Sequence, residues 1–319
     1  MILLLITIIS GVLLLIVALQ QIKASRDAFN SGMSIMNYNN KTVDKTIDAV
    51  VTWVDTTDPV WIAAYNYNTG KKFQSRTDKE RWTPQTADPE AELSTCLELI
   101  RRNMPWIRKT FVVTGFQQRP TCLKDEILID HQDLGLGPVF NSHAIETSLH
   151  KIPGLAENFV YFNDDFYVRK PVSPSVFINH KDQCLLYFIT SDSGNHWVKF
   201  LHDSTAAPLK LDNIMPAHVP YSLTRSMLQE AEKTLPKKWQ STNNCKLRYE
   251  CKDEISPIVA AMLIALSKGK AVKAPPGINY RYFDGVPSEN NDLVKKLHFV
   301  CINSLDKDRE GLWRGLQIE

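Results

Sequence analysis

Two adjacent carboxylates and an amide, Asn163-Asp164-Asp165, close the apolar run Phe159-Val160-Tyr161-Phe162. Acidic oxygens at the carboxyl end of a buried strand stand where an open α/β sheet receives its ligand. They suit a hard cation such as Mg²⁺, which takes one or two carboxylates from a protein and shares its other positions with substrate phosphates. The competing reading is a solvated turn, since Asn and Asp are common turn residues. A second polar group precedes the strand. Asn141-Ser142-His143-Ala144-Ile145-Glu146 reads as a helix entrance, closing near Leu149-His150 before the turn Ile152-Pro153-Gly154.

The elements that must position these residues follow from hydrophobic patterning. Residues 47–54 form a β-branched, nearly continuous apolar strand, as expected of a sheet covered on both faces. The strand runs into Asp55-Thr56-Thr57-Asp58, after which Pro59-Val60-Trp61 opens a helix. Leu93, Leu97 and Ile100 recur at helical spacing within residues 90–103. Further strands are expected at 110–115, 126–130, 184–189 and 299–303, and helices at 220–235 and 256–266, with 191–217 irregular. Such alternation predicts an α/β class, a mostly parallel sheet flanked by crossover helices. A short basic and aromatic piece, Lys246-Leu247-Arg248-Tyr249-Glu250, lies between the last two helices. The basic run Lys71, Lys72, Arg76, Lys79 and Arg81 reads as solvated surface with a secondary capacity for anions.

Of the 319 residues, 2–19 form an apolar run broken by Thr7, Ser10 and Gly11. A span of about 18 such residues lies near the lower limit for crossing a bilayer. No Lys or Arg precedes it, so the charged start of a secretory signal is missing. Residues 1–22 are therefore expected to be a single-pass membrane anchor, 23–45 a polar stalk, and 46–319 one catalytic domain. The flanking Lys23 and Arg26 favour a cytosolic catalytic side. Asn40-Lys41-Thr42 is a glycosylation acceptor pattern that matters only in a lumen. A net charge of +2 argues against nucleic acid as a partner. The six cysteines contain no CxxC pair, which argues against a zinc site. Free buried thiols are expected, although Cys245 and Cys251 could bridge in an oxidising lumen.

With these residues in view, Asp48-Ala49-Val50-Val51-Thr52-Trp53-Val54-Asp55 followed by Asp58-Pro59-Val60-Trp61 resembles the first signature block of the Stealth family. These are bacterial capsular polysaccharide sugar-1-phosphate transferases, together with the catalytic subunit of lysosomal-enzyme N-acetylglucosamine-1-phosphotransferase. A second block resembles Met104-Pro105-Trp106-Ile107-Arg108 with Val112-Val113-Thr114, continuing through Phe140 to Glu146 and Leu149 to Leu155 into Asn163-Asp164-Asp165. The third is similar to His218-Val219-Pro220 with Leu247-Arg248 and Asp253-Glu254-Ile255, and the fourth to Phe299-Val300-Cys301-Ile302-Asn303.

The resemblance implies a Rossmann-like, glycosyltransferase-A-type core. It implies transfer of a sugar-1-phosphate from a nucleotide-sugar donor to a glycan acceptor, with release of a nucleoside monophosphate. It assigns Asp164 and Asp165 to a divalent cation (Mg²⁺, or Mn²⁺ or Ca²⁺), and Asp165, His218 and Arg248 to catalysis. Arg248 would grip phosphate oxygens bidentately, and His218 would move a proton. Asp48, Trp53 and Asp55 would hold the nucleotide; Asn141, Ser142, Glu146 and Asn163 would hold donor sugar or diphosphate. Without the resemblance, nothing separates His218 from His143, His196 or His202, and Trp53 reads equally as core. Two other readings stay open: a conventional nucleotide-sugar glycosyltransferase and a degenerate glycan-binding protein. Self-association, a homodimer for instance, is equally open.

The chain departs from the family pattern at four places. Thr56 stands where the family has Gly, so a strained or different turn is expected. Ser94 and Glu98 replace arginines, Gly137-Pro138-Val139-Phe140 replaces a Leu-Pro-Thr-Phe lead-in, and Asn303-Ser304 replaces Asn-Asp. The last change would leave Asp306 or Asp308 to substitute.

Overall fold

The first strand distributes its side chains to two cores. In β1 (Ile47–Thr52), Ile47, Ala49 and Val51 enter one apolar cluster and Val50 enters another on the opposite face. Both faces are covered, which is why the run shows no polar alternation. The structure, a computed structural model, describes residues 45–73, 88–189, 196–209, 215–274, 279–303 and 309–318. After β1, Asp58 accepts the Val60 amide at 2.8 Å and starts α1 (Pro59–Thr69), which stops at Gly70 in the left-handed conformation. Next come α2 (Ala91–Asn103), β2 (Thr110–Thr114), β3 (Ile127–Asp130) and the short α3 (Ser142–Glu146). The chain continues through β4 (Asn158–Asn163), β5 (Phe166–Val168), β6 (Cys184–Leu186), β7 (Phe188–Ile189), α4 (His196–Leu201), β8 (Met215–Pro216) and β9 (Tyr221–Thr224). It closes with α5 (Arg225–Thr234), α6 (Pro236–Asn243), α7 (Pro257–Ser267), β10 (Ala271–Lys273), β11 (Tyr280–Phe283), β12 (Phe299–Ile302) and α8 (Arg309–Leu316).

The central sheet has the order β3-β2-β1-β4-β9. Strands β3, β2, β1 and β4 are parallel neighbours, and β9 pairs antiparallel at the edge beside β4. The chain runs from β1 outward through β2 to β3, then returns to place β4 on the other side of β1. The direction of strand succession therefore reverses between β1 and β4. That is the place where an open sheet leaves a crevice at its carboxyl edge. Helix α2 covers one face; α5, α6 and α7 cover the other. Residues Pro257 to Ala265 of α7 are all buried, which explains its apolar composition all round. A smaller sheet, β11-β12-β5, follows the β4 turn.

The expected α/β class with a parallel-rich sheet is observed, and several boundaries move. Residues 220–235 are not one helix: Tyr221–Thr224 is strand β9, which pairs with β4, and Thr224 then caps α5 by accepting the Met227 amide at 3.1 Å. A free edge on β4 is worth more to this stretch than one further helical turn. Residues 184–189 break after Leu186, because β6 pairs with β10 and β7 with β8. The stretch expected to be irregular contains α4 and the helical turns that follow it to Leu209. The anchor, most of the stalk, Ser304, Asp306 and Asp308 lie outside the described residues; among those described, no helix is long and apolar enough to cross a membrane. Thr56 has no positive φ, so of the two expected outcomes, a different turn or a strained one, strain is not observed.

Asp48 sits at the amino end of β1, about 13 Å of strand from the carboxyl edge. It is fully buried, and both carboxylate oxygens are engaged: Arg108 Nε and Nη2 donate at 2.9 and 2.7 Å, and the Ala156 amide at 2.7 Å. The pair ties β1 to the segments leading into β2 and β4. Asp48→Asn would aim an NH₂ group at one of these donors. It is expected to lower the unfolding free energy by about 1–3 kcal/mol, measured from the urea midpoint at unchanged slope.

Candidate active site at the β1–β4 switch point

The two acidic strand ends found in the sequence are neighbours. Thr52 and Asn163, the last residues of β1 and β4, stand in register. Thr52 Oγ1 lies 3.1 Å from Tyr161 Oη, and Tyr161 donates to Asn163 Oδ1 at 3.2 Å. Beyond Asn163 the chain turns through the half-buried Asp164 and Asp165 into β5. Asp165 is tied to the smaller sheet on two sides. Its Oδ2 accepts from Cys301 Sγ at 3.5 Å, and its carbonyl accepts the Ile302 amide at 3.3 Å. Burial and these two carboxylates together push the protons of Cys96 and Tyr167 well above their ordinary range, so both stay protonated beneath the turn.

His218 reaches the same place from another part of the chain. Its ring meets Phe166, the residue after Asp165, edge-on at 6.3 Å between centroids, and lies 5.3 Å from Tyr282. Its backbone amide donates to Tyr280 Oη at 3.1 Å. Tyr221 completes the floor, 5.6 Å from Phe166 and 6.2 Å from Tyr161.

A second group assembles at the start of α3. Asn141 caps that helix, its Oδ1 accepting the His143 amide at 3.0 Å, while its Nδ2 donates to Glu254 Oε1 at 3.0 Å. His143 is buried, with Nδ1 2.8 Å from Glu254 Oε1 and Nε2 3.1 Å from Arg248 Nη2. Burial, then the Arg248 charge, bring His143 down to about 4. Arg248 also lies over the Tyr249 ring at 5.0 Å. Cys245 and Cys251 are joined in a disulfide across the segment that carries it, where free thiols were expected; a Cα separation of 5.9 Å places them within bonding range. Glu146, one turn beyond His143, is buried, with no hydrogen-bond partner on Oε2, and burial raises it to about 8.

The two groups are linked through two buried tyrosines. The Glu146 charge is felt by both Tyr161 and Tyr221, and Tyr221 also feels Asp165. Asn163, Asp164, Asp165 and His218 thus meet at the carboxyl edge of β4, while Glu146 and Arg248 stand beside His143 at the start of α3, near enough for Tyr161 to sense their charge. Asn141 and Ser142 belong to that α3 start. Other residues of the motif blocks are committed to structural contacts. Asp48 is at the far end of β1. Trp53 is buried and donates to the Pro89 carbonyl at 3.2 Å, which makes it core. Asp55 closes its own turn, accepting Thr57 N and Oγ1 at 2.8 and 2.6 Å. Glu98 pairs on the surface with Arg101 and Lys124. His143 and Glu254 were not singled out for a role, although both stand inside the motif blocks.

The model of Stealth conserved region 2 matches residues 87–186, the segment holding α2 through β6 and all of Asn141 to Asp165. Residues 87–186 therefore carry the second conserved region of the Stealth family. The chain is similar to an exopolysaccharide phosphotransferase of Streptomyces coelicolor, 30% identical over 265 residues, 75% of this chain and 42% of the relative. A capsular polysaccharide phosphotransferase of Neisseria meningitidis serogroup B is 36% identical over 149 residues, 44% of this chain and 40% of that protein. One from Aeromonas hydrophila is 30% identical over 236 residues, 64% of each. The chain spans less than half the length of the first two.

Glu146 gives the Stealth site a pH signature. Its folded-state value of about 8 lies above the ordinary 4.5, so its contribution is full below the ordinary value and is lost as pH rises through about 8. The unfolding free energy of the wild type should fall by a few kcal/mol between about pH 5 and about pH 9. Glu146→Gln should flatten that limb of a denaturation series.

Proposed function

We propose that this chain transfers a sugar-1-phosphate from a nucleoside diphosphate sugar to a hydroxyl of a glycan. The acceptor oxygen bonds to the sugar-proximal phosphorus, the phosphoanhydride bond breaks, and a nucleoside monophosphate leaves. What carries the reading is the convergence of an oxygen-only acidic turn, an imidazole and an arginine on one switch point, in a chain whose relatives are named polysaccharide phosphotransferases. Such transfer rests mainly on positioning and on charge stabilisation of the phosphoryl oxygens. The sheet is read as a Rossmann-like, glycosyltransferase-A-type core.

Asn163, Asp164 and Asp165 offer only oxygen ligands. Among the described residues no group of three or more His, Cys, Asp or Glu is placed to hold a metal. Two acids without a complete protein cage fit a cation shared with a diphosphate, which favours Mg²⁺, with Mn²⁺ or Ca²⁺ as alternatives. Asp164 and Asp165 would hold it, and when bound it would neutralise charge on the phosphates. Arg248 grips phosphate oxygens through its guanidinium. His218, half-buried against aromatic rings, accepts the proton of the acceptor hydroxyl. Glu146, kept protonated near neutrality, offers a hydrogen-bond donor to the donor sugar. The reading keeps residues 2–19 as a membrane anchor. The Cys245–Cys251 bond favours an oxidising side for the domain, against the bias from Lys23 and Arg26.

Incubating the full chain with a panel of nucleotide sugars and a glycan should release nucleoside monophosphate; release of diphosphate would instead mean attack at the anomeric carbon. Asp165→Ala and His218→Ala should each lower turnover by about 10²–10⁴ with the fold retained. Full turnover in both variants, or in excess chelator, would contradict the assigned roles.

A further inference from the structure

Arginine has five N–H donors and no acceptor, so a contact between Arg248 Nη2 and His143 Nε2 at 3.1 Å requires that Nε2 carry a lone pair. The imidazole proton then sits on Nδ1 and points at Glu254 Oε1, 2.8 Å away. Both ring nitrogens are committed, and the residue is 1% exposed. His143 therefore has no nitrogen left for substrate. The ring is also locked in plane by Phe200, stacked at 5.4 Å and 6°.

Glu254 is held as firmly. Beside His143, its Oε1 accepts Asn141 Nδ2 at 3.0 Å, and its Oε2 accepts the Tyr249 amide at 2.6 Å. That amide belongs to the residue after Arg248, and Tyr249 has a φ of +66°, a conformation that a non-glycine residue keeps only when its surroundings impose it. One carboxylate thus fixes the backbone beside Arg248 directly and its guanidinium through an imidazole.

The geometry points to His143 and Glu254 as a positioning pair for the phosphate-binding step: neither touches substrate, and together they aim the Arg248 guanidinium into the crevice. The inference rests on the phosphate-gripping role given to Arg248 above. A free arginine side chain loses rotamer freedom on gripping a ligand, and a pre-aimed one has already lost it. The assembly also explains why a histidine and a glutamate are buried here without facing the crevice.

The test is a double-mutant cycle read by calorimetric binding of inorganic pyrophosphate with Mg²⁺ to the full chain. His143→Ala should weaken binding about tenfold, the factor set by restoring an arginine's rotamer freedom. Arg248→Ala should weaken it at least as much. The double variant should bind no worse than Arg248→Ala alone, since His143 acts only through the arginine. Glu254→Gln, which cannot accept from His143 and the Tyr249 amide together, should also weaken binding in the presence of Arg248. Additive losses, or full affinity in His143→Ala, would overturn the positioning role. Equal affinity in the wild type and Arg248→Ala would overturn the phosphate role and this inference with it, a result distinct from additivity. A measurement on the wild type covers variants that fail to fold: nitrogen-15 spectra should show the His143 proton on Nδ1 at neutral pH, and a proton on Nε2 would overturn the pair.

Discussion

The parallel pairing of β1 with β4, six residues in register from Ile47 to Thr52, is the constraint from which the rest of the site follows. Because helices cover both faces of this sheet, its interior positions are filled mainly by apolar side chains. Polar chemistry is displaced to the strand ends. Since β4 returns to the far side of β1, the two ends that meet at the carboxyl edge come from distant parts of the chain. Thr52, Tyr161 and Asn163 seal that meeting point with hydrogen bonds rather than apolar packing. The turn that leaves it carries the two acids outward.

Around the edge, burial and charge compete, and burial sets most of the protonation states. His143 is held neutral and Glu146 is raised, in each case with desolvation as the largest cause. Arg248 opposes the shift of Glu146 and reinforces that of His143. A neutral imidazole between an arginine and a carboxylate is the consequence, and only one tautomer of it satisfies both neighbours. Compare the Asp48–Arg108 pair at the other end of β1. There the carboxylate is saturated by two guanidinium nitrogens and an amide, and the residues hold strands rather than substrate.

Much of this was legible in the sequence, for identifiable reasons. Strands β1 and β4 are apolar on both faces, and the polar group after each is abrupt, so the edge where ligand chemistry belongs could be located from patterning alone. Asp48 misled because a motif block does not say which end of a strand each of its residues occupies. Trp53 follows the alternation into the core, as the plain packing reading had it. Strand β9 was hidden because Tyr221–Thr224 runs directly into an amphipathic helix and owes its pairing to a partner about sixty residues earlier. The tie between His143 and Glu254 spans 111 residues, a distance over which no local periodicity operates. The Cys245–Cys251 bond depends on the turn through Leu247 and Arg248, which spacing alone does not reveal.

The central claim is that one crevice, between the carboxyl ends of β1 and β4, receives a diphosphate. A crystal structure of the full chain grown with a nucleoside diphosphate and Mg²⁺ tests it most directly. The account predicts the diphosphate between Thr52 and Asn163, with Asp164 and Asp165 on its cation and Arg248 on its oxygens. A nucleotide bound elsewhere on the sheet, or the two acids turned away from it, would contradict the account.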